Sequence, residues 1–362
     1  MDNSAELLVD PGDPAAPDET QQRLNAFPLM RYMGSKSRLL PWIREVLRTI
    51  EFESVLDAFS GSGAVSYLFK AMGKRVLAND FLHFSHILTK AIIENDFERI
   101  APEHLDILLG EDPSAPDFIR STFNGIFFST EDLQFLDLVS HNIKKLDNRY
   151  LRALALSALI RSSVKKQPRG VFTISGDISR YDDGRRDMRL SLRAHFREQV
   201  DYYNSAVFSN GNKHLSFNSD IFEFDDRFYR PDLVYLDPPY VPKSDDNCYV
   251  KRYHFLEGLS KYWADEEILY DTKVKKIKKK YTPFSYRRTA DEAFHRLFRK
   301  FADSKIVLSY SSNGYPTLDE LESMMRLYKK RVDVYRRPHR YHFGTHGAVK
   351  RAMVDEYLIV GT

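Results

Sequence analysis

Between Ser54 and Asp80 the chain reads as strand, acid, glycine turn, helix, strand, acid, and few folds accept that order. Ser54-Val55-Leu56-Asp57-Ala58-Phe59 is an apolar strand segment carrying a carboxylate near its end. Gly61-Ser62-Gly63 makes the turn, and Ala64–Met72 has helical spacing stopped by Gly73. Arg75–Asp80 is a second short strand closed by an acid. This is the first half of a nucleotide-binding α/β domain, where glycines let backbone approach a ligand and helix N–H groups point at it. Ahead of it, Leu39, Leu40, Ile43, Val46 and Leu47 predict a helix within Ser37–Ile50.

The alternation then lapses. Residues from Phe97 to Lys213 are predicted to be mainly helical and loop-rich. Two basic stretches lie there, one with Arg161, Lys165, Lys166 and Arg169, the other with Arg185, Arg186, Arg189, Arg193 and Arg197. Strands resume at His214–Phe217 and Leu233–Leu236, and a polar, lysine-rich insertion spans 241–290. Further strands fall at Lys305–Tyr310, Val332–Tyr335 and Tyr357–Val360, about seven in all. No clear helix separates the last two, which suits an antiparallel hairpin at the sheet edge. Residues 1–26, acidic and rich in Pro and Ala, read as a flexible tail.

Composition sets limits on function. At 43% hydrophobic residues the chain can bury a core. The 54 bases are nearly offset by 51 acids, so bulk charge does not point to nucleic acid and the placement of the bases matters more. A single cysteine, Cys248, excludes a disulfide framework within the chain and argues against a Cys-based zinc site. No signal-peptide pattern opens the sequence, and no apolar run is long enough to span a bilayer, so neither a membrane nor export is expected.

The chemistry gathers at Asp237-Pro238-Pro239-Tyr240, directly after the strand Leu233–Leu236. Two prolines force the chain out of the sheet at a strand's carboxyl end, where open α/β sheets place ligands. Asp237 offers a carboxylate, Pro238 a carbonyl and Tyr240 a flat aromatic face, a set that suits a planar group bearing –NH2. The glycine loop alone also fits dinucleotide binding, but Ser66 stands where a third glycine would be needed.

Together these segments make the chain similar to the DNA adenine-N6 methyltransferases, in the order with cofactor motifs first and DPPY late. Arg31-Tyr32-Met33-Gly34-Ser35-Lys36 resembles the family's N-terminal cofactor motif, with Tyr32 where many members have Trp. Asp57–Gly63 resembles its D-x-F-x-G-x-G loop, Asn79-Asp80 the acid closing the second strand, and Ser309-Tyr310-Ser311-Ser312-Asn313 a later core motif. The resemblance implies a seven-stranded mixed sheet of the Rossmann-like methyltransferase type, formed by 27–97 and 214–362, with a mostly helical DNA-recognition domain inserted at 98–213. It implies S-adenosyl-L-methionine as cofactor, bound by Tyr32, Lys36, Asp57, Gly61, Gly63, Asp80, Asp220 and Asp237. It implies Asp237, Pro238 and Tyr240 as catalytic residues and double-stranded DNA as partner. A cytoplasmic role as the modification arm of a restriction–modification system, beside a cognate restriction endonuclease, is the matching expectation. Asp220 reads equally well as a local cap.

Other readings remain open at this point. An RNA base amine, cytosine N4, or a non-catalytic nucleic-acid-binding module on the same scaffold would use similar residues. Asp at position 237 disfavours cytosine N4, and the Tyr32–Lys36 segment with the large basic insertion favours DNA. The bases of 98–213 can meet phosphates or guanine edges, or form a solvated face. The run Lys273, Lys275, Lys276, Lys278, Lys279 and Lys280 reads as a loop touching DNA or as a charged disordered loop. His339, His342 and His346 suggest hydrogen bonding or phosphate contact, and no metal is expected.

Overall fold

Successive strand residues face opposite ways, and here both sets are buried. Leu56, Leu77, Val234, Leu236, Ile306 and Leu308 face one core, while Val55, Val76, Leu233, Tyr235 and Val307 face the other. Continuous apolar runs are what a doubly covered sheet requires. The computed structural model describes residues 18–168, 170–173, 184–241, 249–340 and 353–362. Among these residues one sheet contains β1 (Ser54–Asp57), β2 (Arg75–Asp80), β3 (Leu215–Asn218), β4 (Leu233–Leu236), β5 (Lys305–Ser311), β6 (Val332–Arg340) and β7 (Met353–Gly361), in the order β3-β2-β1-β4-β5-β7-β6. β1 to β5 pair in parallel, and β7 runs antiparallel to both β5 and β6. The terminal hairpin is therefore present, with strands longer than their apolar cores suggested and β7 slotted between β5 and β6.

This order reverses direction between β1 and β4, which opens a crevice beyond their carboxyl ends. Asp57 pairs in register with Tyr235, so the acid closing β1 and the Asp237 that follows β4 border the same crevice. The topology thus brings together two motifs 180 residues apart.

The region 98–213 is helical as expected, with Pro102–Leu109, Phe118–Phe123, Thr130–Ile143, Arg149–Lys165 and Leu192–Ala206 as its main helices. Helix Arg149–Lys165 is buried on nearly every side from Ala153 to Val164, which explains why it has no polar face. Its apolar residues join those of β1, β2 and β4 in one continuous core.

Three sequence expectations change. Residues 18–25 are not tail: Asp18 caps helix Glu19–Asn25 and pairs with Arg44 and Arg48. The stretch 241–290 is not polar throughout, because helix Tyr249–Lys261 buries Tyr253, Phe255, Leu256 and Leu259. Phe255 and Trp263 interlock with Phe123, Phe127 and Phe172, and Gly258 leaves room for the Trp263 ring. The lysine run is an ordered turn closed by an antiparallel bridge between Ile268 and Ile277, with Lys278 and Lys280 paired to Glu267 and Glu266. Cys248, Arg169, His342 and His346 lie outside the described residues.

Candidate active site

The loop after β1 is shaped by what a glycine can do. Gly61 has φ +52°, and a Cβ on it would stand 3.0 Å from the Tyr32 ring, so only glycine lets the ring and the loop meet. Tyr32 in turn lies parallel to Tyr253, with ring centroids 5.1 Å apart. The Tyr253 hydroxyl accepts the Met33 N–H at 2.6 Å, which fixes the turn that carries Gly34 and Lys36.

Four acids, Asp57, Asp80, Asp220 and Asp237, border the resulting cavity of about 450 Å³. Asp57 is buried, and its Oδ2 accepts from Ser66 Oγ at 2.6 Å while Oδ1 has no partner. Burial pushes its carboxyl up to about 7, the Ser66 hydrogen bond opposes the shift, and Asp237 and Asp80 add to it. Asp80 accepts the Gly61 N–H at 2.7 Å and the Leu82 N–H at 2.8 Å, and burial holds it near about 6. Asp237 is raised by burial and pulled back by the Lys36 ammonium, whose Nζ lies 2.8 Å from Oδ1. Lys36 also donates to the Gly34 carbonyl at 3.2 Å and stands 5.1 Å from the centre of the Tyr240 ring.

The aromatic end is held from below. Tyr240 rests edge-on against Tyr310 at 4.7 Å, and its hydroxyl lies 3.5 Å from the buried Glu356 carboxylate. Pro238 and Pro239 line the cavity beside it. At the other end Asp220 accepts the Phe222 N–H at 3.0 Å, so it is both a local cap and part of the cavity wall. Phe81, Ile221, Phe222 and Phe284 give that end flat apolar walls, with Phe222 and Phe284 stacked at 6.2 Å.

The cavity therefore joins an acid-lined, glycine-turned half to a half that presents a carboxylate and an aromatic ring. Residues 32–324 match the family described as D12 class N6 adenine-specific DNA methyltransferase. The chain belongs to this family. It is 32% identical over 328 residues to the Type II methyltransferase M2.HphI of Haemophilus parahaemolyticus, covering 87% of this chain and 92% of that one. It is 27% identical to the Type II methyltransferase M.FokI of Planomicrobium okeanokoites over 88% of this chain, and it spans about half of that protein's length. It is 23% identical to the Type II methyltransferase M.NlaIII of Neisseria lactamica, covering 83% and 89% of the two chains.

Within this adenine-specific DNA methyltransferase, Tyr32, Lys36, Asp57, Gly61, Asp80, Asp220, Asp237, Pro238 and Tyr240 all line the one cavity. Gly63 stands behind it: at φ +81° it caps helix Ala64–Ala71 and donates its N–H to the Ser60 carbonyl at 2.7 Å. Lys36 reaches the Asp237 end of the cavity as well as bordering the glycine-turned end.

Sequence reasoning missed several residues. Ser66 was visible only as an absent glycine, yet it is the hydroxyl that orients Asp57. Tyr249, whose hydroxyl burial pushes up to about 12, and Phe284 enter from the segment read as a polar insertion. Glu257 caps helix His83–Thr89 by accepting the His83 and Phe84 N–H groups, each at 3.2 Å. Asn79 ties three strands together through the Ala58 and Ser219 carbonyls. In the helical region Arg161 is spent on the Leu29 carbonyl and Gln199, while Lys165 and Lys166 pair with Asp187 and Asp132. Arg186 pairs with Glu198. Among the described residues no helix is long and apolar enough to cross a membrane.

Proposed function

We propose that this chain transfers a methyl group from S-adenosyl-L-methionine to N6 of adenine in double-stranded DNA, with Asp237, Pro238 and Tyr240 acting on the base. The observation that carries the reading is the buried, unpartnered Asp57 Oδ1 in the same cavity as Asp237. A buried acceptor left open costs free energy unless a ligand donor fills it, and the ammonium of the methionine portion is such a donor. Asp80 keeps lone pairs beyond its two backbone partners for ribose hydroxyls. Phe81, Ile221, Phe222 and Asp220 suit the cofactor's purine, and the cavity volume falls within the usual range for a bound small molecule. When bound, S-adenosyl-L-methionine supplies an electrophilic methyl on a positively charged sulfur.

The residues of the chain do the rest. The lone pair of adenine N6 is delocalised into the ring, so the amine is a poor nucleophile. Asp237 and the Pro238 carbonyl accept its hydrogens, which favours a pyramidal nitrogen with its lone pair available. The negative charge of Asp237 also stabilises the positive character that N6 gains during transfer. Tyr240, seated on Tyr310, stacks on the base once it has left the duplex. Lys36 holds the same Asp237 oxygen that the amine needs. Lys36 would offer its ammonium to a carboxylate of the bound cofactor as well, which would free the Asp237 oxygen for adenine.

The helical region 98–213 serves as target-recognition domain, built onto the sheet's core. The names of its Type II methyltransferase relatives support a modification enzyme; a cytoplasmic location and a cognate restriction endonuclease are part of this proposal. The test is transfer of tritiated methyl to duplex DNA, followed by nucleoside analysis. Label in N6-methyl-2′-deoxyadenosine is expected; label only in cytosine, or in RNA but not DNA, overturns the reading.

A further inference from the structure

Most basic side chains of the helical region are turned to acids or carbonyls of the chain itself. The segment that walls the cavity on its outer side is built differently. Lys280, Thr282, Pro283, Phe284 and Ser285 line the cavity, yet Tyr281 in their midst points outward and is 51% exposed. Its ring lies 5.3 Å from that of Tyr286, at the other end of the same run. The run is held firmly. Ser285 donates its N–H to the Thr282 carbonyl at 2.9 Å, Ser285 Oγ accepts the Thr282 N–H at 3.1 Å, and Thr289 Oγ1 donates to the Pro283 carbonyl at 2.6 Å.

Cations stand on these rings. Lys279 lies 5.7 Å from the centre of the Tyr281 ring, and Arg288 lies 5.3 Å from that of Tyr286. Arg287 stacks 4.7 Å from the Tyr315 ring, and the neighbouring Asn313 lines the cavity. The exposed Tyr281 ring, the half-buried Tyr286 and Tyr315 rings and the lysine and arginines against them make a stacking edge with phosphate-binding groups around it, the chemistry of a surface that meets unstacked bases.

We propose that the Tyr281–Tyr286 pair, with Arg287 and Arg288, is the lip on which duplex DNA opens, stacking on bases beside the extruded adenine while the arginines meet the adjoining phosphates. This rests on reading the cavity as the site that receives that adenine. A base that leaves the duplex exposes faces on its neighbours, and rings already fixed at the cavity mouth cover them without further ordering. The lip thus contributes to opening rather than to methyl transfer, and Phe284, one turn inside it, belongs to the cavity wall.

The experiment has two arms. In the first, a mixed-sequence duplex is titrated by fluorescence anisotropy across a salt series, with wild type and the Arg287→Gln, Arg288→Gln double variant. The slope of log affinity against log salt is expected to fall by about two, one for each lost phosphate contact. An unchanged slope overturns the arginine assignment.

In the second arm, the methylated site is mapped on plasmid DNA and rebuilt as an oligonucleotide duplex with 2-aminopurine at the target adenine. The Tyr281→Ala, Tyr286→Ala double variant is expected to lose the fluorescence rise of base extrusion and to bind this duplex roughly 10-fold more weakly. Its cofactor affinity, read by calorimetry, is expected to stay at the wild-type value, and the Tyr281→Phe, Tyr286→Phe pair to restore extrusion. Wild-type fluorescence and affinity in the alanine variant would overturn the lip, as would a parallel loss of cofactor binding, which would place the rings in the cavity wall. A wild-type protein that binds duplex yet methylates no adenine would refute the reading of the cavity instead, and the first arm would still decide the surface.

Discussion

Two groups of buried charge in this chain are treated in opposite ways. Lys70 is fully buried on helix Ala64–Ala71, and its Nζ reaches the Ile92, Ile93 and Asn95 carbonyls and the Asp96 carboxylate. Lys329 likewise gathers the Phe301, Ala302 and Ser304 carbonyls. Both ammonium groups sit where helix ends leave carbonyls without partners, and burial lowers each to about 8. At the carboxyl ends of β1 and β4 the buried groups are acids, and one oxygen of Asp57 stays unsatisfied. The charge of Lys70 and of Lys329 is met by carbonyls of the chain itself. Site charge is left open, and its unmet hydrogen-bonding capacity is what a ligand can use. Lys36 joins the two kinds: it is 4% exposed and fully engaged, but its main partner is Asp237, the residue proposed to act on the base.

The sharpest way to break this contrast is at Asp237. Asp237→Ala is expected to lower single-turnover methyl transfer by about 10²–10³, and by more if base positioning is lost too, while Asp237→Asn keeps partial activity. The alanine also leaves Lys36 buried beside no carboxylate, so stability falls with it. The double variant Lys36→Met, Asp237→Ala is then expected to regain thermal stability without regaining turnover. If turnover returns as well, Asp237 is a structural ion-pair partner and the contrast fails.

Lys70→Met is the converse. It strands three helix-end carbonyls and is expected to cost about 3–5 kcal/mol in urea unfolding, with kcat per folded molecule unchanged. A variant that unfolds normally but methylates poorly would move Lys70 to the functional side.

Asp57 sharpens the comparison through pH. Its carboxyl is raised from 3.8 to about 7, so the folded state without ligand prefers the protonated form. The stability this lends is complete below pH 3.8 and is lost as pH rises through about 7. A cationic ligand reverses the preference. Cofactor affinity is expected to tighten with pH, by about tenfold per unit below the midpoint, and to level off above it. Calorimetry from pH 5.5 to 8.5 should find Asp57→Asn flatter and weaker by ~1.5–3 kcal/mol at the alkaline end. A wild-type profile in the Asn variant would remove Asp57 from cofactor binding.

The smallest effect is expected on the surface. Arg186 is exposed and its pair with Glu198 is screened by solvent, so Arg186→Gln should leave the urea unfolding midpoint nearly unchanged. Its effect on the salt dependence of DNA binding should be smaller than that of Arg287→Gln with Arg288→Gln. A larger effect would return DNA contact to the helical region.

Local features made the sheet and much of the site legible. Strands with both faces buried must be apolar throughout, and the turns that end them need glycine or proline, so β1, β2, β4 and β5 and the segments at Tyr32, Asp57, Asp80 and Asp237 could be read in order. The site segments share one crevice because β4 lies beside β1, and the sequence order of those strands implies no such neighbour. Burial, likewise, depends on what arrives from elsewhere in the chain. Arg161 and Arg288 carry the same charge, but only packing puts one under helix Leu192–Ala206 and the other, itself exposed, on the Tyr286 ring. Ser66 looked like a missing glycine because its role is set by Asp57, nine residues away and across a turn. Tyr249 and Phe284 carried no local signal, since a cavity wall asks only for an aromatic surface at a point in space. Backbone geometry is short-ranged and is written into neighbouring residues; desolvation and partnership are properties of a place, and the place exists only once the chain has folded.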